Sequence, residues 1–322
     1  MHTTIRPAAR AALALALAVG LSAPALAQDK LKVAISQKGL WDTAVTYFAA
    51  ERGFYKAEGL DVDYIWTGGG TETLQTVTTK SVDVATGTGM LGVLGAVSKG
   101  APLAIIRSEI LGAPEAIWLV KTASPIKSVK DFNGKKVGFS RPGATSHLQV
   151  LNMIKQYKVK PVLVSSGAIS ASRTLFMTDQ LDVAWTIPPF NLDLVQSGQA
   201  RIVFRATDLP EMQKQTTRVN VTHKDLVAKN RPALEKFNRG YNKALAWMYD
   251  KQDESTAAYA KFANVPVAVA KTVPSFYPRE LLATVGMVGL DRNMKDGIES
   301  KFFTKPLTDA QVKAMVQIID VK

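Results

Sequence analysis

Apolar and polar residues alternate in short segments along the chain, and helical patterns lie between these segments. Residues 31–35 and 62–66 alternate in side-chain character as strands do. Between them, Val45 and Phe48 fall on one face of a helix, and Asp42 offers its N-cap. Strand patterns that alternate with helix patterns predict an α/β fold with mostly parallel sheets.

The second half of the chain repeats this alternation and then becomes helical. Residues 136–139 read as a strand that leads, through residues 142–146, into a helix. After Ala233, apolar residues recur at helical spacing from Leu234 to Met248. The pattern therefore predicts two α/β lobes and a helical tail, and the length of the chain agrees with two domains of ordinary size.

Three glycine-rich segments follow predicted strands and begin predicted helices, namely residues 68–71, 87–89 and 143–146. Helix N-termini present unpaired backbone N–H groups and a partial positive charge, and glycine lets the backbone approach a ligand closely. In open α/β sheets such segments lie where ligands bind. They therefore predict a site for a small polar or anionic group, although ordinary turn and cap chemistry explains each segment taken alone.

Ligand contacts are expected from the carboxyl ends of strands in both lobes. Trp41 and Trp185 would supply flat apolar walls, unless they pack in the core. His147 is either a polar residue of the first helical turn or a ligand contact. The predicted ligand-binding residues are Gln37, Trp41, Gly69, Gly70, Thr71, Thr88, Gly89, Met90, Glu115, Thr145, Ser146, His147 and Trp185.

The sequence offers little catalytic chemistry. It contains no cysteine, and its histidines are His2, His147 and His223. It has no P-loop, H-E-x-x-H or G-x-S-x-G motif. Residues 87–92 have the letters of the G-x-G-x-x-G dinucleotide motif, but they follow the third predicted strand, whereas that motif belongs to a first βαβ unit. We therefore expect no catalytic residue, no cofactor and no metal, and a binding protein rather than an enzyme.

The charge of the chain does not point to nucleic acid. The formal net charge is +13, but the basic residues are scattered and no run of five or more occurs. The composition, with 47% hydrophobic and 21% charged residues, is that of a globular protein. A solvated basic surface, with at most a weak general attraction for anions, is the expected consequence.

The N-terminal residues have the pattern of an export signal. Arg6 and Arg10 precede an apolar stretch at residues 11–21, and residues 25–27 form an A-x-A cleavage motif. The stretch is shorter than the roughly 20 residues of a membrane-spanning helix, so cleavage is favoured over an uncleaved anchor. No cysteine stands near the cleavage motif to carry a lipid, and we expect the protein to be released into a bacterial periplasm.

Four segments, spread over residues 30–236, resemble a known family. Residues 48–62 read FAAERGFYKAEGLDV, residues 81–85 read SVDVA and residues 125–137 read PIKSVKDFNGKKV. Residues 181–185, LDVAW, are followed by Pro188. In this order they resemble the NMT1/THI5-like periplasmic binding proteins, which are the substrate-binding subunits of ABC importers for nitrate, sulfonate, taurine and thiamine-precursor ligands.

This resemblance implies a type II periplasmic binding protein, with two α/β lobes, a hinge and a ligand cleft between them. Residues 28–112 and 216–322 would form lobe I, and residues 113–215 would form lobe II. The implied function is capture of a small organic or anionic ligand by lobe closure. A monomeric receptor would then deliver the ligand to an ABC permease and ATPase at the inner membrane. A ligand-sensing subunit for a membrane kinase and an enzyme on the same fold remain alternatives.

The resemblance leaves the ligand class open. Glu72 and Glu115, if they face the cleft, argue against a simple oxyanion, whereas Arg141 and Arg173 argue for one. The family's Ser-Gly before the second helix is replaced by residues 69–70, which are both glycine. The ligand therefore has to be inferred from the geometry of the site.

The first prediction concerns processing. We expect the exported protein to begin at Gln28, or within about two residues of it, because signal peptidase cleaves after small residues in an A-x-A pattern. N-terminal sequencing of the protein from a periplasmic fraction measures this directly. A periplasmic protein that retains Met1 would contradict the export interpretation.

Overall fold

The computed structural model describes residues 28–283 and 286–321. The predicted signal peptide and its cleavage site after Ala27 therefore lie outside the described residues. Among the residues described, no helix has the length and apolar character that crossing a membrane requires.

The described strands form two groups in space, and the last strand of the chain returns to the first group. They are β1 (Asp29–Ser36), β2 (Leu60–Thr67), β3 (Val84–Gly89), β4 (Leu103–Leu111), β5 (Ile117–Lys121), β6 (Lys136–Phe139), β7 (Val162–Ser165), β8 (Ala184–Thr186), β9 (Ala200–Arg205) and β10 (Thr216–His223). The predicted strand at residues 136–139 is confirmed as β6, and the predicted strands at 31–35 and 62–66 lie inside the longer β1 and β2.

The helices cover the sheets and form most of the chain after β10. They are α1 (Trp41–Glu51), α2 (Phe54–Ala57), α3 (Gly70–Thr78), α4 (Met90–Ser98), α5 (Thr145–Tyr157), α6 (Ile169–Met177), α7 (Leu192–Gln196), α8 (Lys224–Lys229), α9 (Arg231–Asp250), α10 (Gln252–Ala263), α11 (Val267–Ala270), α12 (Arg279–Leu282), α13 (Leu290–Glu299) and α14 (Asp309–Met315). The predicted helical tail is therefore confirmed after Ala233.

The first sheet has five strands in the order β2-β1-β3-β10-β4. The strand β1 pairs in parallel with β2 and β3, whereas β10 is antiparallel to β3 and β4. The second group forms an antiparallel sheet β8-β5-β9 and a parallel pair β6-β7, which a bridge between Val137 and Val183 connects. The prediction of mostly parallel sheets is wrong, because parallel pairing of the described strands is limited to β1-β2, β1-β3 and β6-β7. The reason in the first sheet is that β4 leads out toward the second group and β10 returns from it.

Two local predictions also need correction. Residues 87–89 are not a turn, because β3 continues to Gly89 and pairs with β10 as far as Arg218. Asp42 is not the N-cap of α1, since the helix begins at Trp41 and Leu40 occupies the cap position. The carboxylate of Asp42 is buried instead, which matters for the cavity described below.

The C-terminal segment closes the outer edge of the first sheet. The backbone N–H groups of Gln317 and Ile319 donate to the carbonyls of Ile105 and Ile106 on β4. Asn238 of α9 is completely buried and donates through Nδ2 to Ile106 O at 3.2 Å and to Ile319 O at 2.7 Å. This amide therefore ties helix α9, strand β4 and the end of the chain together.

The second prediction tests that tie. We expect Asn238→Ala to lower the free energy of unfolding by about 2–3 kcal/mol, because it removes two buried hydrogen bonds and leaves a cavity. The control Lys243→Ala, at an exposed position of the same helix, should lower it by less than about 1 kcal/mol. Urea unfolding measures both changes, and equal effects of the two substitutions would contradict the proposed role of Asn238.

Candidate ligand-binding cleft

A narrow cavity lies between the first sheet and the second group of strands. Its wall comes from the end of β1, the start of α3, the end of β3, the start of α5 and the end of β8. The cavity has a volume of about 40 Å³, which is enough for a few ordered water molecules. A ligand with several heavy atoms therefore needs the two sides to separate before it enters.

Backbone and side chains from the two sides meet around this cavity. Arg141 Nη1 lies 3.4 Å from Glu72 Oε2, and Thr71 Oγ1 donates to Pro142 O at 3.1 Å. A methyl group added at Gly89 would lie 2.7 Å from the carbonyl oxygen of Gly143, which is closer than side chains approach. The structure thus describes a closed cleft, and glycine at position 89 is part of what permits the closure.

The wall of the cavity carries a buried ion triad, which we define as Asp42, Glu115 and Arg218. Arg218 Nη2 lies 3.0 Å from Asp42 Oδ2 and 2.5 Å from Glu115 Oε1. Both acidic side chains are inaccessible to solvent, and the arginine side chain is 8% exposed. Burial alone would lower the pKa of Arg218. The two carboxylates outweigh this effect and raise the pKa above its ordinary value.

The triad is assembled from three separate parts of the chain. Asp42 lies in the first turn of α1, Arg218 lies in β10, and Glu115 lies in the segment between β4 and β5. A buried charge is costly unless it is paired. When these three groups are ionised, their pairing therefore fixes the positions of the three segments relative to one another.

A third acid lies behind the cavity wall. Glu109 of β4 is buried and accepts the backbone N–H of Gly87 at 2.5 Å. Burial and, after it, the negative charge of Asp42 raise the pKa of Glu109 to about 8 in spite of the opposing charge of Arg218. Glu109 is consequently protonated over much of the neutral range.

Several polar atoms on the wall make no hydrogen bond within the protein. They belong to side chains that are buried or half-buried, so solvent access does not explain them. The acceptors are Gln37 Oε1, Asp42 Oδ1, Glu115 Oε2 and Gln149 Oε1, and the donors are Trp185 Nε1 and Arg218 Nε. Buried polar atoms without partners are unusual in native proteins and point to a ligand or ordered water.

Eight of the residues that the sequence suggested as ligand contacts line this cavity. They are Gln37, Gly69, Gly70, Gly89, Glu115, Thr145, Ser146 and Trp185. The hydroxyl groups of Thr145 and Ser146 already bond within the protein, because Thr145 Oγ1 donates to Thr217 O and Ser146 Oγ accepts the N–H of Ser140. The backbone groups of both residues, and the O–H of Ser146, which only accepts in its bond with Ser140, remain candidates for ligand contact.

Trp41 and Thr88 do not line the cavity, contrary to the expectation from sequence. Trp41 is completely buried, donates through Nε1 to Tyr249 Oη at 3.1 Å and packs edge-on against Tyr259. Thr88 is also buried and donates to Val219 O at 2.7 Å. The core alternative for Trp41 is therefore the correct one.

The remaining three residues are also outside the wall. Thr71 bonds across the cleft rim to Pro142, and Met90 is buried at the start of α4. His147 accepts the backbone N–H of Gly143 through Nδ1 at 3.2 Å. Burial lowers the pKa of His147 to about 4, so this side chain is neutral and serves the local turn.

The sequence analysis missed the residues that matter most for the electrostatics of the cavity. Asp42 was read as a helix cap, while Arg218 and Gln149 were not singled out. A signal for Arg218 was present, since the other residues of strand β10 before His223 are all uncharged. For Gln149 on α5, nothing in the local sequence distinguishes it from other polar residues of a helix.

About two thirds of the chain matches known sequences. A family model described as NMT1/THI5 like matches residues 41–255. The putative aliphatic sulfonates-binding protein of Escherichia coli (strain K12) is 27% identical over 204 residues, which cover 62% of this chain and 61% of that protein. The aligned region thus spans less than two thirds of this curated relative.

Solved structures extend the likeness to nearly the full chain. The periplasmic aliphatic sulphonate binding protein of Escherichia coli has a TM-score of 0.72 at 21% identity, over 91% of this chain and 94% of that chain. The alkanesulfonate-binding protein of Xanthomonas axonopodis pv. citri bound to MOPS has a TM-score of 0.71 at 18% identity, over 84% and 90%. The expected fold of a periplasmic binding protein is confirmed.

The third prediction follows from the pKa of Glu109. Because the ordinary value is 4.5 and the folded value is about 8, protonated Glu109 contributes its full stability below about pH 4.5 and loses it as the pH rises through 8. Relative to Glu109→Gln, the wild-type free energy of unfolding should fall by up to about 1.4 kcal/mol per pH unit in that window. Urea titrations at several pH values measure the difference.

Glu58 is the matched control, with the opposite sign. Burial raises its pKa, but hydrogen bonds from Lys243 and Arg239 outweigh burial and lower it. Its contribution is therefore present above the ordinary value of 4.5 and is lost as the pH falls. If the wild type and Glu109→Gln differ by a constant amount across the window, the account of Glu109 is wrong.

Proposed function

The chain belongs to the NMT1/THI5-like family, and from this membership we propose that it is a solute-binding receptor of an ABC importer. The receptor captures a small ligand in the cleft between its two lobes and delivers it, in the closed form, to the permease and ATPase subunits at the inner membrane. The observation that carries the proposal is the closed cavity with buried polar atoms that lack partners.

The geometry supports binding by closure. The polar atoms without partners come from both sides of the cavity, for example from Gln37 after β1 and from Gln149 on α5. A ligand that satisfies both sides at once interacts more strongly with the closed state than with the open state, and it shifts the population toward closure accordingly. The closed form is then a signal that the importer can recognise.

The location and partners form part of the same proposal. The export signal at residues 1–27 directs the chain to the periplasm, where cleavage releases it as a monomer without a lipid anchor. The proposed lobe boundaries near residues 112 and 215 lie next to the end of β4 at Leu111 and the beginning of β10 at Thr216. These two strands would connect the lobes and act as the hinge.

An enzyme on the same fold is the main alternative, since fold alone does not decide function. The lining of the cavity contains acids, amides and hydroxyls. His147, which was considered as a contact, accepts the backbone N–H of Gly143 and is not among the residues that line the cavity. Recovery of a bound solute without chemical change separates a receptor from an enzyme.

The fourth prediction tests the receptor function. Protein that has been unfolded to release bound solute and then refolded should gain about 2.7 kcal/mol at a ligand concentration of 100 times Kd. The expected rise in Tm is a few degrees for a chain of this length. A thermal-shift screen of periplasmic solutes measures it, and mass spectrometry of the recovered solute should show an unchanged mass.

A variant at Gly89 shows whether closure is required. Gly89→Ala should weaken the binding of any solute found in the screen by at least about tenfold, because the added methyl group meets Gly143 O. Gly286→Ala, where the added methyl group has open space, is the control. A screen without any hit, or a hit that is converted during incubation, would count against the receptor function.

A further inference from the structure

The acceptors around the ion triad point to the charge of the ligand. Resting on the proposed receptor function, we infer that the ligand carries a protonated nitrogen, as in a small amine or guanidine, which binds between Asp42 and Glu115. A sulfonate or nitrate without such a nitrogen does not fit this site. This inference separates the chain from the proteins that it resembles in fold, two of which are named for sulfonates.

The first argument is the balance of charge. The ion triad holds two carboxylates against a single guanidinium group, with both acids completely buried. Behind it, Glu109 is protonated over much of the neutral range and adds no negative charge there. One negative charge of the fully ionised triad therefore remains to be neutralised, and burial raises the pKa of Glu115 although Arg218 opposes that shift. A ligand cation completes the pairing, whereas an anion would add a second unpaired charge.

The second argument is the direction of the hydrogen bonds on offer. Residues of the wall carry four acceptor atoms without a partner, against two such donors. The orientation of the Gln149 amide is fixed because its Nε2 donates to Ala113 O at 2.9 Å, which leaves Oε1 as an acceptor. A protonated nitrogen supplies several donors at once and no acceptor, and it matches this set. A sulfonate has acceptors alone and would leave the set unsatisfied.

The third argument is that the arginines expected to bind an anion are occupied elsewhere. Arg218 is shared between its two acids. Arg173 makes two bonds of 2.7 Å to Asp193, and Arg141 pairs with Glu72 on the rim. Neither Arg173 nor Arg141 lines the cavity. The groups that could receive the anionic part of a larger ligand are the backbone N–H groups at the starts of α3 and α5.

The experiment compares ligands that share a carbon skeleton and differ in charge. Refolded protein is titrated with propylamine, benzylamine and methylguanidine, and separately with propanesulfonate, phenylmethanesulfonate and methanesulfonate, at millimolar concentration. Calcium and zinc chlorides form a third set, because a metal ion is another way to neutralise two acids. We expect at least one of the nitrogen compounds to raise the Tm and none of the sulfonates or metal ions to do so.

Substitution of one acid tests whether the nitrogen binds at the triad. Glu115→Gln keeps the shape of the side chain and removes its charge, so the affinity of the active nitrogen compound should fall about 30-fold or more. Glu58→Gln, a change of the same kind at an acid remote from the cavity, should leave the affinity within about twofold. The Tm of each empty variant shows that it is folded. Asp42→Asn tests the second carboxylate that is expected to bind the nitrogen, and it should lower the affinity in the same way.

The outcomes separate the two proposals. If a sulfonate raises the Tm and no nitrogen compound does, the receptor function stands and the inferred charge of the ligand is wrong. A response to metal ions alone overturns the inference in the same way. A nitrogen compound that binds equally well to Glu115→Gln also overturns it. If neither these probes nor the broader solute screen changes the Tm, the receptor function fails and the inference fails with it.

Discussion

The contact on which the site depends is the pairing of Arg218 with Asp42 and Glu115. It joins the first turn of α1, a strand of the first sheet and the segment that leads into the second group of strands. Removing one member of a buried ion pair is strongly destabilising, whereas the intact pair adds little to stability compared with well-packed apolar residues. A triad with an excess of acid is therefore hard to explain by stability alone, and a role in binding accounts for it better.

The surrounding fold supports the triad in position. The strands β4 and β10 run side by side and antiparallel through the first sheet, and they place Arg218 in the cavity wall with Glu109 on the neighbouring strand behind it. The C-terminal segment and Asn238 protect the outer edge of β4. Close approach of Gly89 to Gly143 then allows the opposite wall to reach the site. A small closed cavity results, in which each unpaired polar atom has a large effect on what can bind.

The sequence predicted the fold well and the chemistry of the site only in part. Residues 136–139 and the tail after Ala233 have strong periodic patterns, and local periodicity is enough to identify them. The direction of β10 was not predictable, because it depends on which lobe the chain returns from. Trp41 was expected in the cleft and lies in the core, since a side chain at a helix start can face either way. The triad could not be foreseen, as Asp42 and Arg218 are far apart in sequence and meet only in the folded protein.

The most direct test is a crystal structure of the protein purified from its periplasm without unfolding, together with the ligand that it carries. The account predicts a ligand nitrogen within about 2.7–3.2 Å of the carboxylates of both Asp42 and Glu115. A tetrahedral or planar oxyanion held at the start of α5, with both carboxylates left without a ligand contact, would contradict it.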